Sequence, residues 1–181
     1  QRGDKIALCG TNSARWGITF LATVTYAAVV VPILPDFLPE QIHHIVTHSE
    51  SRILFVSDQI LKRIEPTQMP DLLAILRLTD FSTVIGSPAV FNIRDIFANS
   101  SPVSPNQLKF QAESSKNDMM MINYTSGTTG FSKGVMLPYR AFDSNYEFAD
   151  GVLGRKTINC NILSMLPMAH MYGLMFEFLY A

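Results

Sequence analysis

Eleven consecutive residues, Tyr124 to Gly134 (YTSGTTGFSKG), gather hydroxyls at Thr125, Ser126, Thr128 and Thr129 among others, three glycines at Gly127, Gly130 and Gly134, and one ammonium at Lys133. Glycines let backbone N–H groups converge on an anion with no Cβ in the way, hydroxyls add donors that rotate to suit, and lysine brings a mobile point charge. Phosphate is the group such a loop suits. An ordinary flexible turn has similar composition, but compact apolar runs abut the loop on both sides, MMMINY at 119–124 and VML at 135–137, and leave no slack. The Walker A pattern does not fit: five residues on from Gly127 stands Ser132, five on from Gly130 stands Val135, and Lys133 is followed by Gly134 instead of a hydroxyl. No GxGxxG is present either.

Other reactive side chains carry weaker signals. His170 stands alone in LPMAHMYGL (166–174), where a histidine among apolar residues is more often structural than chemical. His44 and His48 are spaced i, i+4 with His43 adjoining, a spacing that can hold a metal, yet no Glu follows His44. Ile42, Ile45 and Val46 mark that helix's buried face, so the histidines read as a solvated rim. Met119, Met120 and Met121 lie on a strand whose successive side chains alternate faces, which favours core packing over a soft-metal site. Arg2-Gly3-Asp4 reads as a turn before a strand.

Elements that must position the loop follow from periodicity. Strands are expected over Lys5–Cys9, Val29–Ile33, Arg52–Ser57, Ala74–Leu78, Met119–Tyr124, Val135–Leu137 and Ile162–Leu166, and helices over Ser13–Ala28, Pro39–His48, Asp58–Glu65, Ile93–Ala98, Tyr139–Phe148 and from Tyr172 onward. Asn12 and Ser13 are both suited to cap the first helix. Strands alternating with helices imply an α/β fold, mostly parallel sheets covered by helices on both faces. The stretch rich in Ser, Pro, Asn and Gln at 99–118 reads as a linker, with a first α/β lobe at 1–98 and a phosphate-loop unit opening the next lobe at 119–181.

Composition narrows the class further. The 181 residues are 48% hydrophobic and only 16% charged, which demands a real core and excludes a disordered tail. Fourteen Lys and Arg against fifteen Asp and Glu, scattered along the chain, argue against nucleic acid as a partner. Trp16 to Pro35 holds 20 residues without a charge, long enough to span a bilayer, but Pro32, Pro35 and the β-branched run Val29–Val31 divide it into helix and strand. No transmembrane segment is expected, and peripheral contact at the inner face of a membrane stays open. Two cysteines, Cys9 and Cys160, are too few for a disulfide framework and point to a reducing compartment, the cytoplasm by default. The abrupt ends, QRGDKIAL and MYGLMFEFLYA, read as those of a piece of a longer protein.

YTSGTTGFSKGVML resembles the phosphate loop of the adenylate-forming superfamily, which includes acyl-CoA synthetases, peptide-synthetase adenylation domains and firefly luciferase. Residues 3–35 and SESRILFVSD (49–58) resemble that family's amino-terminal strand, helix and strand segments. LPMAHMYGL resembles the segment in which a histidine shapes the carboxylate end of the acyl pocket. Two positions depart from the family pattern: Ser132 replaces a proline before the loop lysine, and Tyr139 replaces a histidine after the next strand. The resemblance implies an incomplete fragment of the large amino-terminal domain of an AMP-forming acid:CoA ligase. ATP and a carboxylate, a fatty acid by preference, would yield an acyl-adenylate, and coenzyme A would take the acyl group. It implies that Thr125, Ser126, Gly127, Thr128, Thr129, Gly130, Lys133 and Gly134 hold ATP phosphates, that Thr125 touches Mg²⁺, and that Lys133 and His170 serve catalysis. The alternatives are an aryl-acid or amino-acid adenylating domain, or a nucleotide-binding module without ligase activity. On its own the piece is expected to be inactive and to self-associate.

Overall fold

The computed structural model describes residues 1–86, 115–125, 132–153 and 161–181. Strand β1 (Lys5–Cys9) leads into helix α1 (Ala14–Thr25), β2 (Val29–Ile33), α2 (Pro39–His48), β3 (Ser51–Val56), the single turn α3 (Asp58–Leu61), β4 (Ala74–Arg77) and β5 (Thr83–Gly86). After the undescribed stretch come β6 (Met119–Thr125), β7 (Lys133–Pro138), α4 (Tyr139–Leu153) and a seven-residue π-helix, Gly173–Leu179. All seven strands join one sheet in the order β5-β4-β3-β1-β2-β6-β7. The five inner strands run parallel, while β5 and β7 pair antiparallel at the two edges. The first lobe's strands and the phosphate-loop unit therefore share a sheet, with β6 lying beside β2.

Right-handed crossovers that leave β1 and β2 in opposite directions must put α1 and α2 on opposite faces. The core divides accordingly. On one face Cys9, Val31, Leu54 and Ile122 pack under Ile42 and Ile45 of α2. On the other, Leu8, Val30 and Met121 pack under Trp16 and Phe20 of α1, with Phe142 of α4 and Leu174 of the π-helix. Strand β2 is buried throughout, as a central parallel strand requires. Its Pro32 is unusual there. Val29 donates to the Asp4 carbonyl at 2.9 Å, so odd-numbered residues of β2 bond β1 and even-numbered ones face β6. The missing N–H of Pro32 thus falls on the β6 side, where the ladder is recorded at one pair, Val30 with Met121.

The uncharged run 16–35 is helix, turn and strand, and among the described residues no helix is long and apolar enough to cross a membrane. Its threonines are satisfied locally: Thr19, Thr23 and Thr25 each donate to the carbonyl four residues back, at 2.7–2.8 Å. Ser13, not Asn12, caps α1, accepting from the Trp16 N–H at 3.1 Å.

Several expected elements differ in detail. The helix expected over Asp58–Glu65 ends at Leu61, followed by a 3₁₀ turn at Pro66–Gln68. Strand β5 was not expected; it is reached through a tight turn with Phe81 at φ 60°. Ile162–Leu166 is without regular structure and pairs with no strand among the described residues, so its apolar run is not a ladder member. The three methionines do not alternate strictly, because an irregularity between Met119 and Met121 turns Met120 and Met121 to the same face. The expected helix Ile93–Ala98 and Cys160 lie outside the described residues.

Candidate active site

β6 and β7 form the hairpin whose tip is the eleven-residue loop. Thr125 pairs with Lys133 and Tyr124 with Gly134, so the last described rung before the loop sets a hydroxyl opposite an ammonium. Directly opposed residues of an antiparallel pair share a face. Tyr124 and Ile122 point into the core beneath α2, which sends Thr125 and Lys133 toward the α1 face. Both are exposed, and among the described residues no carboxylate pairs with Lys133. The expected phosphate ligands Ser126, Gly127, Thr128, Thr129 and Gly130 lie outside the described residues.

The stem beneath is rigidly made. Tyr124 is buried, and its hydroxyl meets His48 Nδ1 at 2.7 Å across an edge-on ring contact. Burial raises the phenol pKa above its ordinary value, so the hydroxyl keeps its proton, and the imidazole tautomer sets which of the two groups donates. A Cβ on Gly134 would come within 2.9 Å of Ile122 Cγ2 and 3.1 Å of the Tyr124 ring. Gly134 is therefore small because the tyrosine lies over it. The rim histidines find neighbours in the same way: His43 Nε2 accepts from the Glu65 N–H at 2.9 Å, and the His44 and His48 rings lie 5.3 Å apart. Among the described residues no group of three His, Cys, Asp or Glu could hold a metal.

The loop emerges at the carboxyl ends of the parallel strands. There β6 lies beside β2 and turns directly into the antiparallel β7. His170 reaches the same edge and the same face by another route. Its segment has no ladder, but Met168, Ala169 and Met171 pack onto the α1-side core. Asn12, three residues past the Cys9 that ends β1, donates to the Leu166 carbonyl at 2.8 Å and accepts from the Met168 N–H at 2.7 Å. Glu177 Oε2 accepts from the N–H groups of Met165 and Leu166 at 2.9 and 3.0 Å. The His170 N–H closes a turn on the Pro167 carbonyl at 2.8 Å, and His170 Nδ1 accepts from the Tyr172 N–H at 3.3 Å. With Nδ1 an acceptor, the ring proton sits on Nε2, an exposed donor. β1 and β6 are separated only by β2, so the strands that lead to the two supports run about 10 Å apart. An ammonium, a hydroxyl and an imidazole N–H thus share one face and one edge, an arrangement suited to an extended anion.

Sequence reasoning singled out Thr125, Lys133, Gly134 and His170, and the structure brings the first three together at the hairpin and sets His170 on the same edge. It missed Glu177, weighed Asn12 only as one of two possible caps, and gave no role to the His48–Tyr124 pair.

The profile of the family described as "AMP-binding enzyme" matches residues 1–181. Among curated proteins, 4-coumarate–CoA ligase 1 of Arabidopsis thaliana is 25% identical over 96% of this chain and 31% of its own length. A long-chain-fatty-acid–CoA ligase of Homo sapiens is 26% identical over 98% of this chain and 27% of its own. Among solved structures, ATP-bound MatB from Rhodopseudomonas palustris superposes with a TM-score of 0.76 at 24% identity, covering 98% of this chain and 33% of that one. The chain thus spans about a third of the length of the proteins it matches.

Proposed function

The chain belongs to the family of AMP-binding enzymes, and from that membership we propose that it supplies the phosphate-loop part of an AMP-forming acid:CoA ligase acting on a fatty acid. The observation that carries the reading is the donor-rich loop itself, mounted on a stem that presents Thr125 and Lys133 to the α1 face. In the first step a carboxylate oxygen attacks the α-phosphorus of ATP, and the bond to pyrophosphate breaks. In the second, the thiol of coenzyme A attacks the acyl carbon and AMP departs with the electron pair. The first step drives two anions together, so the protein must mainly position them and neutralise charge.

Lys133 is the residue for that neutralisation, with the loop's hydroxyls and N–H groups holding the β- and γ-phosphates. His170, through Nε2–H, is the residue we assign to donate to the carboxylate or the α-phosphate. The hard oxygen of Thr125 suits Mg²⁺, which would enter on the nucleotide and spread phosphate charge; one protein oxygen is in keeping with a cation that keeps waters and phosphates as its other ligands. The fatty-acid preference draws on LPMAHMYGL. An aryl acid is the second reading, favoured by an identity of 25% to the 4-coumarate ligase beside 26% to the long-chain ligase.

The test is exchange of labelled pyrophosphate into ATP by the complete protein, driven by a panel of fatty and aryl acids. Lys133→Ala is expected to slow exchange by about a hundredfold, the scale of losing one preorganised donor worth about 2.7–4 kcal/mol, with the fold intact. Exchange that ignores Lys133, or that no acid in the panel supports, overturns the proposal.

A further inference from the structure

The stretch Met165–His170 lies where regular structure gives its backbone no partners, yet its amides are not idle. The N–H groups of Met165 and Leu166 go to Glu177 Oε2, that of Met168 goes to Asn12 Oδ1, Pro167 has none, and that of His170 closes on Pro167. Asn12 also donates to the Leu166 carbonyl, so one amide side chain grips the segment on both sides of Pro167. The two grips come from distant parts of the chain. Asn12 is held at the mouth of α1 by the Ser13 cap beside it, and Glu177 rides on the π-helix, whose Leu174 and Met175 are core residues. Gly173 completes the fixture: a Cβ there would stand 2.6 Å from the Pro167 carbonyl oxygen, so the turn and the π-helix are in direct backbone contact.

We infer that Asn12 and Glu177 are positioning residues that set the His170 turn for the carboxylic acid substrate. The inference rests on the ligase reading proposed above, and it concerns the acid end of the site, because the bonds of Asn12 and Glu177 go to the segment that leads into His170. A side-chain clamp can hold such a turn where a ladder cannot, since a ladder would consume the backbone groups and extend the chain. Losing one grip leaves the turn formed but displaced, and a misplaced donor costs affinity for the group it faces.

The experiment uses the complete protein and two independent readouts. Amide hydrogen exchange is followed at Leu166 and Met168, and pyrophosphate–ATP exchange gives separate KM values for acid and for ATP. Asn12→Ala is expected to abolish protection at Met168 and to raise KM for the acid about threefold to tenfold, the scale of one or two lost hydrogen bonds, with KM for ATP within twofold of the parent. Glu177→Ala should act likewise through Leu166, and Glu177→Gln, which keeps an acceptor oxygen, should restore protection and acid KM. Unchanged acid KM in both alanine variants, acid and ATP KM rising together, or Gln no better than Ala at position 177 would overturn the inference. If Asn12→Ala does not fold, the position 177 pair decides. If the amides respond but the parent protein shows no acid-dependent exchange, the clamp stands and the ligase reading falls.

Discussion

Two supports carry the candidate chemistry, and they are built on opposite plans. The hairpin stem is a backbone ladder, six recorded pairs from Met119–Pro138 to Thr125–Lys133, with one side-chain bond, Tyr124 to His48, bracing it from below. The His170 turn has no ladder and is carried by two side chains, Asn12 and Glu177. The stem is local in sequence, while the Asn12 half of the clamp joins residues 154 and 156 positions apart. A ladder holds a fixed anion cradle well, because its groups are spent on each other and its geometry repeats. A clamp leaves the turn free to take a shape set by the acid it must face.

Each support also contains a glycine that packing demands, which offers a way to break one without the other. Gly173→Ala should do the greater damage, since its Cβ would meet a backbone oxygen at 2.6 Å that no side-chain rotation can move. A loss of about 3 kcal/mol is expected by denaturant titration, at the upper end for overpacking. Gly134→Ala meets side-chain atoms at 2.9–3.1 Å, which can yield by small shifts, and should cost about 1–2 kcal/mol. It should weaken ATP in preference to acid, the reverse of the Asn12 variants. Gly151→Ala in α4, where a Cβ meets nothing within 4 Å, should stabilise by at most about 1 kcal/mol and move neither KM. A double variant at 134 and 173 should show additive losses, because the two glycines share no neighbour.

Tyr124→Phe gives a smaller effect with a pH signature. Its net cost is about 0.5–1.5 kcal/mol at neutral pH, one hydrogen bond. Because burial raises the folded pKa of the phenol, its contribution is fully present below the ordinary tyrosine value of 10.0 and is lost as pH climbs from there through the folded value, since the unfolded chain ionises first. The phenylalanine variant should lose that part of the alkaline decline in melting temperature. An identical decline in both proteins would mean that the phenol is not what titrates.

What could be read in advance follows the same division. Strands β1 to β4 and helices α1 and α2 declare themselves through local period, capping residues and β-branched runs, and the loop through its residue types. β5 escaped because four residues, TVIG, carry too short a pattern, and the turn before it places Phe81 in a conformation its type does not advertise. Ile162–Leu166 looks like a strand because an apolar run has the same composition whether or not a neighbour pairs with it. Asn12 and Glu177 could not be found because their partners are main-chain atoms, and a backbone amide has no letter in the sequence. Tyr124 and His48 fall between: both are visible, but their meeting depends on which face of β6 the bulge among the methionines selects.

Pro32 leaves the junction of β2 and β6 with a single recorded rung, so the hairpin adheres to the rest of the sheet chiefly by apolar contact, Val30 and Met121 among them. Apolar adhesion and hydrogen-bonded ladders respond differently to temperature: the first weakens on cooling. The junction is therefore the cold-sensitive line of this fold. Comparing amide exchange at Ile122, whose N–H faces the Val30 carbonyl, with that at Ile6 as the protein is chilled would reveal it, as Ile122 losing protection while Ile6 keeps it. A loop seated on such a junction would loosen as one piece with its stem, its own rungs still closed.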